Sequence, residues 1–211
     1  MKITKLGHCC LVLEVDGKKI LTDPGTFTTA QDELMDIDIV LITHEHQDHF
    51  HIDSVKKVVV NNPRTTVVTN AAVGTLLKKE GILSTTVGDG NSAEVVGVYI
   101  EGFGKEHAPI YGDMGKVENT GYMVADKFYF PGDNFHTLGK SVDILALPVA
   151  GPWMKISDAI QFAKIVKAKK AFGVHDGMII PSFLGFTSMV FKMFVPETEY
   201  TTLADGETKE F

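Results

Sequence analysis

Cysteine is nearly missing from this chain: there are two, Cys9 and Cys10, and they are neighbours. Adjacent residues of a strand point to opposite faces, so the pair does not readily bridge itself. A disulfide scaffold is thereby excluded. The two thiols are expected to be small buried hydrophobes in a reducing compartment. Long apolar runs are missing too, and none approaches the ~18 residues of a membrane-spanning helix. The opening, Met1 to His8, has no apolar stretch of the signal-peptide kind and reads directly as a strand, so a cytoplasmic protein without membrane contact is expected. Basic charge is in deficit: 20 Lys and Arg against 27 Asp and Glu leave a net charge of −7. General nucleic-acid binding needs a basic face and is not expected here. Linkers, repeats and low-complexity tracts are also lacking. The 211 residues are therefore expected to form a single domain, 1–211.

What is present suits a soluble globular core, with 44% hydrophobic and 22% charged residues. Strands are expected at 2–6, 9–15 and 18–22, the last two joined by a hairpin at Asp16-Gly17. An apolar strand at 37–43 follows. A short helix at 53–60 is capped by Asp53, and a β-branched strand lies at 65–69. A helix from Asn70 to Glu80 is capped by Asn70 and stopped by Gly81. Strands dominate 86–103, and a hairpin at 121–131 turns at Asp126-Lys127. A strand at 142–148 leads to a helix capped by Ser157, with Ala159, Phe162, Ala163 and Val166 on one face. A strand at 170–174 precedes a tail with a helix near 187–194 and a hairpin at Asp205-Gly206. Each half runs strands first, then strand–helix alternation, which hints at duplication. Two packed sheets with helices outside satisfy the pattern.

The chemistry concentrates in Thr43-His44-Glu45-His46-Gln47-Asp48-His49, directly after the apolar run. A hydrophobic core has no use for so many ionisable side chains, whereas neutral imidazole and carboxylate are the ligands of Zn²⁺, Mn²⁺ and Fe²⁺. In extended chain His44 and His46 point the same way and can reach one ion together. Asp48 and His49, past a turn, can face a second. Three further metal-capable residues each stand just after a strand-like run: His107, Asp133 and His175.

Asp23 in Leu21-Thr22-Asp23-Pro24-Gly25, the His44–His49 cluster, His107, Asp133 and His175 resemble the five ordered motifs of the metallo-β-lactamase superfamily. The opening Leu6-Gly7-His8 and the segment Phe130-Pro131-Gly132-Asp133-Asn134 narrow the likeness to its compact branch. That branch holds the ascorbate-6-phosphate-lactonase-like and other metal-dependent hydrolases. The resemblance implies an α/β fold (α+β in some schemes), a four-layer αββα sandwich with its metal site on one rim. It implies His44, His46 and His107 around one ion, Asp48, His49 and His175 around the other, Asp133 between them, and Asp23 orienting a ligand imidazole. Di-iron relatives carry Glu where this chain has His46. Zinc is therefore the expected ion, manganese next and iron last.

Two ions that share a water lower its pKa toward ~7 and polarise the bond under attack. The expected function is hydrolysis of a small, anionic ester or lactone by a metal-bridging hydroxide, with Asp48 and Asp133 as catalytic carboxylates. A phosphodiesterase or nuclease of the same fold, a non-catalytic metal-binding protein and a redox di-iron relative are the alternatives. His8, His136 and Trp153 are candidates for supporting the ligands or touching substrate, with Tyr111, Asp113 and Lys116 as weaker ones. His51 is expected to point away. The apolar segment 179–194 is expected either to wall the cleft or to form an interface between copies in a homo-oligomer.

Overall fold

The computed structural model describes residues 1–211. Its first sheet begins with three antiparallel strands, β1 (Lys2–Gly7), β2 (Cys10–Val15) and β3 (Lys18–Thr22). It continues in parallel with β4 (Ile39–Ile42), β5 (Thr66–Thr69) and β6 (Ser84–Thr86). The crossovers are α1 (Ile52–Asn61) and α2 (Ala71–Lys79). The second sheet repeats the plan. Four strands meander, β7 (Ser92–Val95), β8 (Val98–Phe103), β9 (Gly121–Val124) and β10 (Phe128–Phe130). Then β11 (Ile144–Pro148), α3 (Ile156–Val166), β12 (Lys170–Val174), α4 (Pro181–Phe194) and β13 (Glu199–Thr201) continue in parallel. Last comes β14 (Thr208–Glu210), which returns to the first sheet beside β1, so that each sheet has seven strands.

Strand alternation sorts the side chains into layers. Ile39 and Leu41 point between the sheets, with Leu11, Leu13 and Ile20, against Ile100, Tyr122, Phe128, Phe130 and Phe172. Val40 and Ile42 point outward to Val55 and Val58 of α1 and Val73 and Leu77 of α2. On the far side Leu145, Leu147 and Ala171 meet Ala159, Phe162 and Phe191 of α3 and α4. The order is αββα, as expected. Cys9 and Cys10 are buried on opposite faces, one in the inter-sheet core and one under the first helix pair. No helix is long and apolar enough to cross a membrane.

Several boundaries differ from expectation, each for a local reason. His51 occupies the N-cap of α1, and Asp53 lies inside its first turn. Lys155 precedes α3, and capping comes from Asp158, whose carboxylate accepts the Lys155 N–H at 2.7 Å; Ser157 is already helical. α4 starts at Pro181, six residues early, because proline suits the first helical turn. The hairpin of β9 and β10 turns through Ala125, Asp126 and Lys127, one residue more than the expected Asp126-Lys127, with Ala125 and Asp126 at positive φ. The tail makes no hairpin: β13 pairs with β12 and β14 with β1, so Asp205-Gly206 carries the chain from one sheet to the other. α4 buries Val190 and Phe191 but leaves Phe183, Phe186, Met189, Met193 and Phe194 exposed.

Candidate metal centre

The strands deliver their chemistry to a single rim. Residues just past the ends of β1 (His8), β3 (Asp23), β4 (Thr43 to His49), β8 (His107), β10 (Asp133) and β12 (His175) converge there. At Gly132 the two sheets nearly touch: φ is +63°, and an added Cβ would lie 2.3 Å from Asn119 Oδ1 and 2.9 Å from Thr43 Cβ. Only glycine allows that approach. Asn119 then donates to the Pro131 carbonyl and accepts the Asp133 N–H, both at 3.0 Å, which fixes the Asp133 backbone.

The imidazoles form two groups. His44, His46 and His107 bring ligand nitrogens together in one, and Asp48, His49 and His175 share the other with His8. Asp133 stands between: its Oδ1 is 3.1 Å from His49 Nε2, and its Oδ2 is 2.9 Å from His175 Nε2 and 3.3 Å from His107 Nε2. Asp48 Oδ2 is 3.4 Å from His175 Nε2 and 3.5 Å from His49 Nε2. Ligands around a tetrahedral zinc with bonds of 2.0–2.1 Å are separated by roughly 3.3 Å. The observed spacings match that edge.

Hydrogen bonding sets which nitrogen each ring offers. His49 Nδ1 donates to Asp23 Oδ2 at 2.6 Å, and Asp23 also accepts from the Thr43 N–H and hydroxyl at 2.8 and 2.7 Å. That hydroxyl is in turn 2.9 Å from His44 Nδ1, which donates to it. His107 Nδ1 donates to the Ala108 carbonyl at 2.5 Å. In all three rings Nε2 keeps its lone pair and faces the rim. Asp23 thus sits where expected, behind His49.

The test of fit is what these atoms lack. His44 Nε2, His49 Nε2, both nitrogens of His175 and Asp133 Oδ1 are buried without a hydrogen-bond partner. Orphaned polar atoms are rare and costly in a protein interior. Four of them, His44 Nε2, His49 Nε2, His175 Nε2 and Asp133 Oδ1, gather at the rim, and such a set fits cations. Charge follows the same geometry. Burial works against charge on Asp133, but His49 and His175 hold its carboxyl well below the ordinary range. Burial likewise disfavours the His175 cation, yet Asp133 and Asp48 outweigh it and raise the group to about 9. Burial lowers His44 well below its usual value.

Of the supporting candidates, His8 is buried with Nε2 3.2 Å from Asp48 Oδ2 and its ring 4.4 Å from that of Phe27. Trp153 donates its indole N–H to Asp133 Oδ2 at 2.8 Å, so it touches a carboxylate where a substrate contact was one of the expected roles. His136 is not brought to the centre. Beyond Asp133 the chain turns Phe135 inward against Trp153 and Phe162, which leaves His136 exposed with its ring over Gly104. His51 turns away as expected, to Ser54 Oγ at 3.0 Å. Lys116 is exposed and paired with Asp113.

Sequence reasoning missed Thr43, Asn119 and a buried ion pair of Lys5 with Asp176 at 2.5 Å. A signal for Lys5 existed. It shares inward parity with Ile3 on β1, where a cation is out of place.

Comparison with known proteins agrees with this geometry. A family model described as "Beta-lactamase superfamily domain" matches residues 2–175. Protein Rv0786c of Mycobacterium tuberculosis is 30% identical over 190 residues, 88% of each chain. A metal-dependent hydrolase of Flavobacterium johnsoniae is 27% identical over 228 residues, covering both chains fully. Among solved structures, Igni18, a metallo hydrolase from the archaeon Ignicoccus hospitalis, superposes with a TM-score of 0.79. The match covers 100% of this chain and 98% of that one at 21% identity, a likeness of fold.

Proposed function

The chain belongs to the beta-lactamase superfamily, among its metal-dependent hydrolases, and from that membership we propose that it hydrolyses a small anionic ester or lactone with two divalent ions. His44, His46 and His107 would hold one ion, and Asp48, His49 and His175 the other, with Asp133 shared between them. Five imidazoles and two carboxylates favour zinc, then manganese, over iron. The observation that carries the reading is the set of buried, unpartnered atoms at the rim, His44 Nε2, His49 Nε2, His175 Nε2 and Asp133 Oδ1.

When bound, the ions supply a Lewis acid for the substrate oxygen and a water that ionises near neutral pH. The chain's own residues prepare the rest. Asp23 and Thr43 hold His49 and His44 in the tautomer that presents Nε2. The Trp153 N–H steadies Asp133. Asp48 is partly open to solvent, with 24% of its side chain exposed. Its free lone pairs can take a proton from the attacking water and pass it to the leaving group. An anionic substrate suits two cations in a chain of net charge −7.

The test is an assay of lactones and aryl esters beside bis-aryl phosphodiesters, on protein loaded with Zn²⁺ or Mn²⁺. Turnover of lactones or esters that disappears on chelation, and falls at least ~1000-fold in His46→Ala, is expected. Turnover of phosphodiesters alone replaces this reading with a phosphodiesterase. Two bound ions with no turnover of any member mark an ion-binding protein without catalysis.

A further inference from the structure

Lys5 is the anomaly of the molecule. Its side chain is 1% exposed, on the first sheet, where its same-face neighbour on β1, Ile3, and its cross-strand partner, Leu11, are apolar. Burying an ammonium costs several kcal/mol unless it is well paired, and an aliphatic residue would be cheaper there. Nζ reaches across to the second sheet. It donates to Asp176 Oδ2 at 2.5 Å and to the Gly173 carbonyl at 3.4 Å, with Asp205 at 3.8 Å. Those contacts bracket His175, which has φ +58°, a conformation that residues other than glycine seldom adopt.

The next residue extends the chain of contacts. The Gly177 N–H donates to His8 Nδ1 at 3.1 Å. A Cβ on Gly177 would sit 3.1 Å from that same nitrogen, so the approach leaves little room for a side chain. An imidazole whose Nδ1 accepts a hydrogen bond carries its proton on Nε2. His8 Nε2 faces Asp48 Oδ2 at 3.2 Å. It therefore has a proton to give to the carboxylate and no lone pair to give to an ion. His8 lies at ligand distance but faces the wrong way chemically.

We infer that Lys5, Asp176, Gly177 and His8 form a positioning network that aims Asp48 and His175, so that one half of the metal centre depends on it and the other does not. This rests on the two-ion reading above. Lys5 and Asp176 set the loop that carries His175. Gly177 sets the tautomer of His8, and His8 sets the Asp48 carboxylate. The opposite half is positioned separately, His44 by Thr43 and His107 by the Ala108 carbonyl. These are positioning residues, not catalytic ones.

The experiment is equilibrium dialysis against buffered free Zn²⁺ with elemental analysis, on the full chain and three variants. Lys5→Met/Asp176→Asn removes both charges together, so that neither is left buried alone. His8→Phe removes donor and acceptor. His8→Gln retains an amide oxygen for Gly177 and an amide N–H for Asp48. Thermal melts of the ion-free proteins report whether each variant folds. Wild type is expected to take up two ions. Lys5→Met/Asp176→Asn and His8→Phe should keep one at wild-type affinity and bind the other about 10–100-fold more weakly, with His8→Gln close to wild type. Equal weakening of both ions, or none, overturns the inference, as does His8→Gln behaving like His8→Phe. If Lys5→Met/Asp176→Asn fails to fold, the His8 pair decides by the same criteria. A wild-type chain that binds fewer than two ions overturns the two-ion reading itself, and this inference with it.

Discussion

A histidine binds an ion only through a nitrogen whose lone pair is free, and at this rim the neighbours decide which nitrogen that is. Asp23, Thr43 and the Ala108 carbonyl each accept a hydrogen bond from an Nδ1–H. The Gly177 N–H does the reverse to His8. His175 has no partner at Nδ1, and its Nε2 faces Asp133. With no ion bound, that carboxylate favours the imidazolium and holds the group at about 9 against its usual 6.5. The folded value lies above the unfolded one. The ion-free fold therefore gains stability from His175 that is fully present below pH 6.5 and lost as pH rises through about 9. An ion requires the neutral ring, so metal and proton compete. In chelator the protein is expected to melt higher at pH 6.5 than at pH 9.5 through this group. Zinc uptake at pH 7.5 should release at least about one proton, measurable by calorimetry in buffers of different ionisation enthalpy. Uptake without proton release would contradict the assignment of His175 as a ligand.

At the scale of elements, the centre lies where strands stop. Each side chain is delivered within a few residues of a strand end, and three residues there, His8, Asp23 and His175, hold positive φ without being glycine. Such conformations cost on the order of 1–3 kcal/mol each and persist where surroundings impose them. Here the surroundings are the hydrogen bonds of Asp23 and the contacts of Lys5 and Gly177. Gly132 is the point of closest approach between the halves. Gly132→Ala would push a methyl group into Asn119 and Thr43 while keeping φ at +63°. We expect it to destabilise the fold by roughly 2–4 kcal/mol. It should also weaken both ions, since Asp133 follows directly, and denaturant unfolding with metal analysis will measure both effects. On α4, by contrast, Phe183 and Phe186 pack on each other at the surface, and the buried Val190 and Phe191 anchor the helix.

For the whole molecule, the two sheets repeat one plan: an antiparallel meander, then parallel strands joined by helices. The proposed ligands come from both, with His44 to His49 on the first sheet and His107, Asp133 and His175 on the second. Ions at this seam would therefore tie the halves together and bind the folded state alone. A ligand at 100 times its dissociation constant adds about 2.7 kcal/mol to stability. Zinc-loaded protein is accordingly expected to melt several degrees above chelator-treated protein at pH 7.5, by scanning calorimetry. Equal melting temperatures would mean that no ion bridges the seam.

The amino-acid sequence alone determined the layers and the segments that carry the candidate ligands. Alternation in Ile39 to Ile42 and the spacing of Val73 and Leu77 are local, because side-chain direction repeats every two residues in a strand and every 3.6 in a helix. The crowding of His44, His46, Asp48 and His49 is local too, and a core offers no other use for it. Tertiary structure alone decided what depends on partners far along the chain. Lys5 meets Asp176, and His8 meets Gly177 and Asp48, across separations of up to 171 residues. His136 is turned outward by the packing of Phe135, and β13 and β14 part to different sheets. Hydrogen-bond direction and loop paths follow from which atoms folding brings together. No pattern of neighbours along a chain contains that information.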